Sequence, residues 1–242
     1  MISRITLGPV ASWCVNELSH RRAGLPRRWM CSLGLKQSHQ GFVSSATASV
    51  TGRVRESGMP ALDYWESLVN ADDTLDRLGF LKGTHSQAVE FGCGYGTFSL
   101  PIARRVAKLR TFDIDTGMLE ITRSRSSAAG LMNIQASERD VLAQGYGVAS
   151  ESVDAALLCN ILHADDPVWM MREAALMLVP SSGRLYATHW RHDPATPRGP
   201  PLEIRPRPEQ LEKWALETGL LRTVSGPIDC PPWHYGWVFA RI

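Results

Sequence analysis

The stretch AVEFGCGYGTFSL, Ala88–Leu100, sets three glycines two residues apart directly after an apolar run that carries a carboxylate. "QAVEFG" reads as a short buried strand. Gly92 can turn sharply without a Cβ penalty, Gly94 lets backbone approach a ligand, and Gly96 lets the next helix pack close. In an open parallel sheet the ligand crevice lies beyond the carboxyl ends of the strands. Glu90, Gly92, Cys93, Gly94, Tyr95 and Gly96 belong at such an end. A dinucleotide turn has the spacing G-x-G-x-x-G. Here the third glycine falls one residue early and Thr97 fills the later position. No G-K-[ST] follows. A carboxylate at Glu90 would repel pyrophosphate and favour a cationic or amine-bearing ligand. The turn therefore suits a nucleoside carrying an amino acid better than one carrying phosphates.

Outward from this turn, strand and helix patterns alternate. "FSLPIARRVA" is helical, "KLRTFDID" a strand, "GMLEITRSRSSAAG" a helix ending at Gly130, and "MNIQASERD" a short strand. "SVDAALLCNIL" is continuously apolar, as a central parallel strand should be. "DPVWMMREAALML" places Met170, Ala174 and Met177 or Leu178 on one helical face, with Asp165 and Asp166 before Pro167 as an N-cap signal. "GRLYATHW" is a strand and "PRPEQLEKWALETG" a helix. "LRTVSGP" and "WHYGWVFARI" are two strands joined by a turn. Upstream, "PALDYWESLVNADDTLDRLGF" sets Leu62, Trp65, Leu68 and Val69 on one face. A second short helix is expected near Asp73–Leu78, capped by Asp72 or Asp73. This alternation predicts an α/β fold: a Rossmann-like, mostly parallel seven-stranded sheet with helices on both faces. The last two strands lack a crossover helix, so one antiparallel strand is expected near the C-terminus.

Composition bounds the partners. The chain has 242 residues, 44% apolar and 21% charged, with 26 Lys and Arg against 24 Asp and Glu. A formal charge of +2 gives no argument for nucleic acid as partner. No apolar run is long enough for a membrane span. The five cysteines are scattered and none stands at C-x-x-C spacing, which argues against a disulfide scaffold or zinc knuckle and for a reducing, cytoplasmic setting. No helical H-x-x-x-H pair supports a metal. Residues 1–55 read as a basic, Ser-rich and flexible extension, with organellar targeting and upstream sequence translated from too early a start as the competing readings. Residues 56–242 read as the functional domain.

The later strand ends add acids in order. Asp113, at the end of "TFDID" and about 20 residues beyond the first glycine, is placed to accept from both ribose hydroxyls, with Asp115 as the fallback. Asp140 in "ERDVLA" is placed to reach an exocyclic amine. These motifs resemble those of the class I S-adenosylmethionine-dependent methyltransferases, nearest to the small-molecule group that includes the ubiquinone/menaquinone-type enzymes. "VEFGCGYG" is similar to that family's first motif and "FDIDTGMLE" to its second, over a resemblance from Glu56 to Ile242. The resemblance implies S-adenosyl-L-methionine as cofactor, Asp113 on the ribose, Asp140 on the adenine amine and Val141 beside the ring. "LMLVPSSGRLYATHW" departs from the usual R-x-L-K-P-G-G segment. Met177 stands where Arg is common, Val179 replaces Lys, and Ser181 and Ser182 precede Gly183.

For the acceptor the candidates lie at the ends of the later strands. Asn160 is assigned to the cofactor's amino-acid part or to the turn. His163 is a candidate base. "THWRHDPATPRGPPLEIRPRPEQ" carries four prolines between Pro194 and Pro201 and reads as a rigid site wall. Within it His189 is assigned to the transferred methyl or the acceptor, and Arg198 to a substrate carboxylate or phosphate. Arg205 and Arg207 are expected in solvent. In "PPWHYGW" His234 is the pocket-facing candidate. The leading expectation is methyl transfer to a small-molecule acceptor. The alternatives are a non-catalytic cofactor-binding protein or partner subunit, an RNA methyltransferase and an NAD-dependent oxidoreductase.

Overall fold

The computed structural model describes residues 58–242, and the expectations for residues 1–55 lie outside the described residues. Two short helices come first, α1 (Leu62–Leu68) and α2 (Ala71–Arg77). Then follow β1 (Gln87–Phe91), α3 (Ser99–Ala103), β2 (Lys108–Asp113), α4 (Thr116–Ala128), β3 (Ile134–Glu138), α5 (Val141–Gln144) and β4 (Ala155–Cys159). The chain closes with α6 (Pro167–Met177), β5 (Arg184–Trp190), α7 (Pro208–Glu217), β6 (Leu221–Cys230) and β7 (His234–Arg241).

The seven strands form one sheet in the order β3-β2-β1-β4-β5-β7-β6. β1 pairs parallel with β2 and β4, and β7 pairs antiparallel with both β5 and β6. The order reverses between β1 and β4, so a crevice opens at the carboxyl end of β1, where the glycine turn lies. The expected antiparallel strand is β7. It reaches the sheet through the short turn after Cys230, because antiparallel neighbours need no crossover.

The central strands are covered on both sides. Ala156 and Leu158 of β4 pack with Met170, Met171 and Leu211 of α6 and α7. Ala155 and Leu157 pack with Leu75, Phe80 and Ile102. This is why β4 is apolar at every position: alternate side chains enter opposite layers, and full burial of each leucine stabilises by about 1.5–3 kcal/mol.

Local expectations differ from the structure in three places. α2 starts earlier than expected because Asn70, not an aspartate, accepts from the Asp73 amide. α3 spans only Ser99–Ala103, and the chain leaves it in a turn at Arg104 on the way to Lys108. Arg205, expected in solvent, is only 6% exposed. In the divergent "PSSG" turn, Ser181 takes φ 64. That left-handed conformation is the one glycine adopts most readily.

Candidate functional site

All three glycines of the turn have positive φ: 75 for Gly92, 49 for Gly94 and 77 for Gly96. Each also marks a close approach. A Cβ on Gly92 would lie 3.3 Å from Ile161 Cδ1, and one on Gly94 would lie 3.4 Å from Met59 Cε. At Gly96 it would meet Leu100 Cδ1 at 2.8 Å and Thr122 Oγ1 at 3.1 Å. Gly96 thus admits α3 and α4, as the spacing implied. Gly92 and Gly94 keep the turn open to side chains from two other segments.

Two acids support the turn from different sides. Asp113 Oδ2 accepts from the Gly94 amide at 2.9 Å, and Oδ1 accepts from the Asp115 amide at 3.0 Å. Cys93 Sγ faces the same carboxylate at 3.8 Å. Burial pushes the Cys93 thiol far up, and the neighbouring Glu90 and Asp113 reinforce this, so it stays protonated. Glu90 is 1% exposed. Its Oε2 accepts from Ser99 Oγ at 2.5 Å and from Thr111 Oγ1 at 3.0 Å. Burial pushes the Glu90 carboxyl up to about 8, against the opposing effect of those hydroxyls. At neutral pH it is mainly a neutral acid. A neighbouring cation would restore the carboxylate.

Asp140 caps α5 by accepting from the Ala143 amide at 3.1 Å, and Val141 is buried in the core. Asp115 caps α4 through the Gly117 amide at 2.9 Å. Between the two acids at the end of β2, Ile114 is a partly exposed apolar residue.

At the ends of β4, β5 and β7 the structure gathers Asn160 and three of the predicted histidines. Asn160 Nδ2 lies 3.2 Å from His234 Nε2, and His163 Nδ1 lies 3.3 Å from His189 Nε2. His189 is fully buried, and its pKa is held well below the usual histidine range by burial and then by His163. His234 is 2% exposed, and burial pushes it down to about 3. Its ring packs against Trp190 with centroids 4.2 Å apart. Both rings are therefore neutral at physiological pH. Among the described residues no group of three or more His, Cys, Asp or Glu is placed to hold a metal ion.

The proline-rich segment is organised around a guanidinium. Arg205 donates to the carbonyl oxygens of Arg191, Asp193, Arg198 and Pro200. Arg198, the predicted substrate clamp, donates through Nη2 to the Gly58 carbonyl at 2.6 Å. The same N-terminal segment is held by Tyr95, whose hydroxyl donates to Pro60 O at 2.7 Å. Arg125 joins α1 to the turn, pairing with Glu66 and donating to Tyr95 O at 2.8 Å. A surface cavity of about 410 Å³, lined by residues that include Asn70, Thr97, Arg104 and Arg125, contains none of the predicted acids or histidines. Topology and the converging polar groups therefore locate the candidate site better than cavity size does.

Comparison with known proteins agrees with this fold. Residues 88–181 match the family described as methyltransferase domain. A SAM-dependent methyltransferase from Aquifex aeolicus is 16% identical, with a TM-score of 0.63 over 72% of this chain and 91% of that one. The chain has the class I methyltransferase fold. The N-methyltransferase NodS from Bradyrhizobium japonicum WM9 is similar at 17% identity and TM-score 0.55, over 76% of this chain and 99% of that one. The [4+2]-cyclase SpnF is similar at 22% identity and TM-score 0.53, over 64% of this chain and 57% of that one. Comparison with curated proteins gives no match.

Within this methyltransferase fold, sequence reasoning placed Glu90, the glycines, Asp113, Asp140 and Asn160 at or beneath the carboxyl ends of β1 to β4. It missed Met59, Arg125 and Ile161. The signal for Ile161 was an apolar residue next to Asn160. Met59 and Arg125 had none, since they reach the turn from elements distant in sequence.

Proposed function

We propose that the domain binds S-adenosyl-L-methionine in the crevice above the glycine turn and transfers its methyl group to a small-molecule acceptor. The observation that carries this reading is the set of three left-handed glycines joined to Asp113 by the hydrogen bond that the Gly94 N–H donates, at the point where strand order reverses. The donor set fits the group. Asp113 and Asp140 would receive the ribose hydroxyls and the adenine amine, with Ile114 and Val141 beside the ring. Glu90 beneath the turn matches a cationic ligand, and Asn160 stands at the amino-acid end. Bound S-adenosylmethionine supplies an electrophilic methyl on a sulfonium.

The chain's own residues then align the acceptor and exclude water. The segment from Gly58 to Ala61, tied down by Tyr95 and Arg198, covers one side. The Arg205-centred loop, which carries Arg198, continues that cover. Where the acceptor carries a proton, His163 is the assigned base, with neutral His189 setting its tautomer through the bond between the rings. Arg198 retains donors for an acceptor carboxylate or phosphate. Cys93, Cys159 and Cys230 are free thiols, which suits a cytoplasmic setting. No helix among the described residues is long and apolar enough to cross a membrane.

A second reading keeps the cofactor and drops methyl transfer. The likeness to a [4+2]-cyclase favours it, since the same fold serves other chemistry there. Calorimetric titration with S-adenosylmethionine, S-adenosylhomocysteine and NAD tests both readings. Binding of the first two without NAD supports the cofactor assignment, and an acceptor screen then separates methyl transfer from the second reading. Binding of NAD alone overturns both.

A further inference from the structure

The end of β4 carries a polar group whose orientation is enforced from behind. Asn160 has φ 57, and its backbone amide donates to Thr188 O at 2.9 Å. Its Oδ1 is buried and has no hydrogen-bond partner among the described residues. A buried acceptor left unpaired costs about 1–3 kcal/mol, so such atoms call for an explanation.

The explanation begins with His234. Its ring is packed against Trp190 and is neutral. A neutral imidazole offers one lone pair and one N–H. In the arrangement with the Asn160 amide nitrogen 3.2 Å from Nε2, Nε2 accepts and the ring proton sits on Nδ1. A ring protonated on Nε2 would select the reversed amide, so the tautomer of His234 decides which end of the amide faces away from it. With the proton on Nδ1, the reversed amide would set Oδ1 lone pairs against the Nε2 lone pair, and Oδ1 is held as an acceptor facing away from the ring. Ile161, the next residue, packs at Gly92, so the residue that carries this acceptor adjoins one that touches the glycine turn.

We infer that His234 is a positioning residue that fixes Asn160 Oδ1 to receive an N–H donor of the bound ligand, namely the ammonium of the amino-acid portion of S-adenosylmethionine. This gives His234, the pocket-facing candidate of the sequence, an orienting role. It rests on the cofactor reading proposed above.

The test compares S-adenosylhomocysteine with 5′-methylthioadenosine, which shares the nucleoside and lacks the amino-acid tail. Both are titrated into full-length wild type, Asn160→Ala, His234→Phe and His234→Gln. Asn160→Ala and His234→Phe should weaken S-adenosylhomocysteine by roughly ten-fold, as for one hydrogen bond to a charged group, and change methylthioadenosine by less than about two-fold. His234→Gln, whose side-chain oxygen can accept from Asn160 Nδ2, should restore most of the loss. Nitrogen NMR of the unliganded wild type should show His234 protonated on Nδ1 alone. Equal weakening of both ligands, or no weakening, overturns the inference while leaving the cofactor reading intact. So does a proton on Nε2, which needs no ligand and no variant. Failure of wild type to bind either ligand overturns the cofactor reading and this inference with it.

Discussion

Replacing Glu90 with glutamine should change the pH dependence of stability in a direction that the structure specifies. The carboxyl is buried, its Oε2 accepts from Ser99 and Thr111, and burial raises it from 4.5 to about 8. The unfolded chain releases this proton near its ordinary value, so between those two pH values the native state holds a proton that the unfolded state has lost. Stability from this group is therefore full below about pH 4.5 and falls as pH rises through about 8. The difference in proton affinity corresponds to about 5 kcal/mol at 1.36 kcal/mol per tenfold. The substituted amide keeps an oxygen acceptor for the two hydroxyls and never ionises. The stability of Glu90→Gln relative to wild type should thus rise by about 5 kcal/mol as an upper figure between pH 4.5 and pH 9. His189 and His234, both depressed by burial, act in the opposite sense at acid pH. Their contribution is common to both proteins and cancels in the difference. Urea unfolding followed by tryptophan fluorescence across that range measures it. Parallel profiles for the two proteins would refute the assignment of a protonated buried acid.

The same carboxyl should couple to the ligand. Binding of S-adenosylmethionine at pH 7 should release close to one proton from wild type and almost none from Glu90→Gln, as read by calorimetry in buffers of different ionisation enthalpy. Equal release by the two proteins would remove Glu90 from the cationic site. Asp113→Ala should weaken S-adenosylmethionine by roughly ten-fold or more, the worth of hydrogen bonds to a charged acceptor. Unchanged affinity would end its ribose assignment. Gly96→Ala should destabilise by about 2–4 kcal/mol through a left-handed φ and overpacking. Gly130→Ala shares a positive φ of 68 but meets no atom within 4 Å, so about 1 kcal/mol is expected there. Equal losses in chemical denaturation would refute the packing role of Gly96. Arg205→Ala should cost about 2–4 kcal/mol by leaving buried carbonyls unpaired, and should speed proteolysis within residues 191–207. An unchanged Tm and unchanged cleavage would show that the loop orders itself without the guanidinium.

The sequence by itself determined the alternation of strands and helices, the antiparallel return of β7 and the special backbone at Gly92, Gly94 and Gly96. These are short-range properties: side-chain period, crossover length and the absence of a Cβ act over a few residues and leave a pattern that can be counted. The positions of Glu90, Asp113 and Asp140 were legible for the same reason, since each lies at or just beyond the end of a recognisable strand. Only the tertiary structure decided what those groups experience. Glu90 reads as a carboxylate, yet Ser99 and Thr111 and the surrounding core make it a buried acid. Arg205 reads as a solvent charge, yet the proline-rich chain wraps its carbonyls around it. His234 reads as a pocket-facing residue, yet it meets an amide 74 positions away in sequence, and Arg198 meets Gly58 across 140. Desolvation and hydrogen bonding depend on which atoms are brought within a few ångströms, and separations of that length leave no periodic trace in the chain.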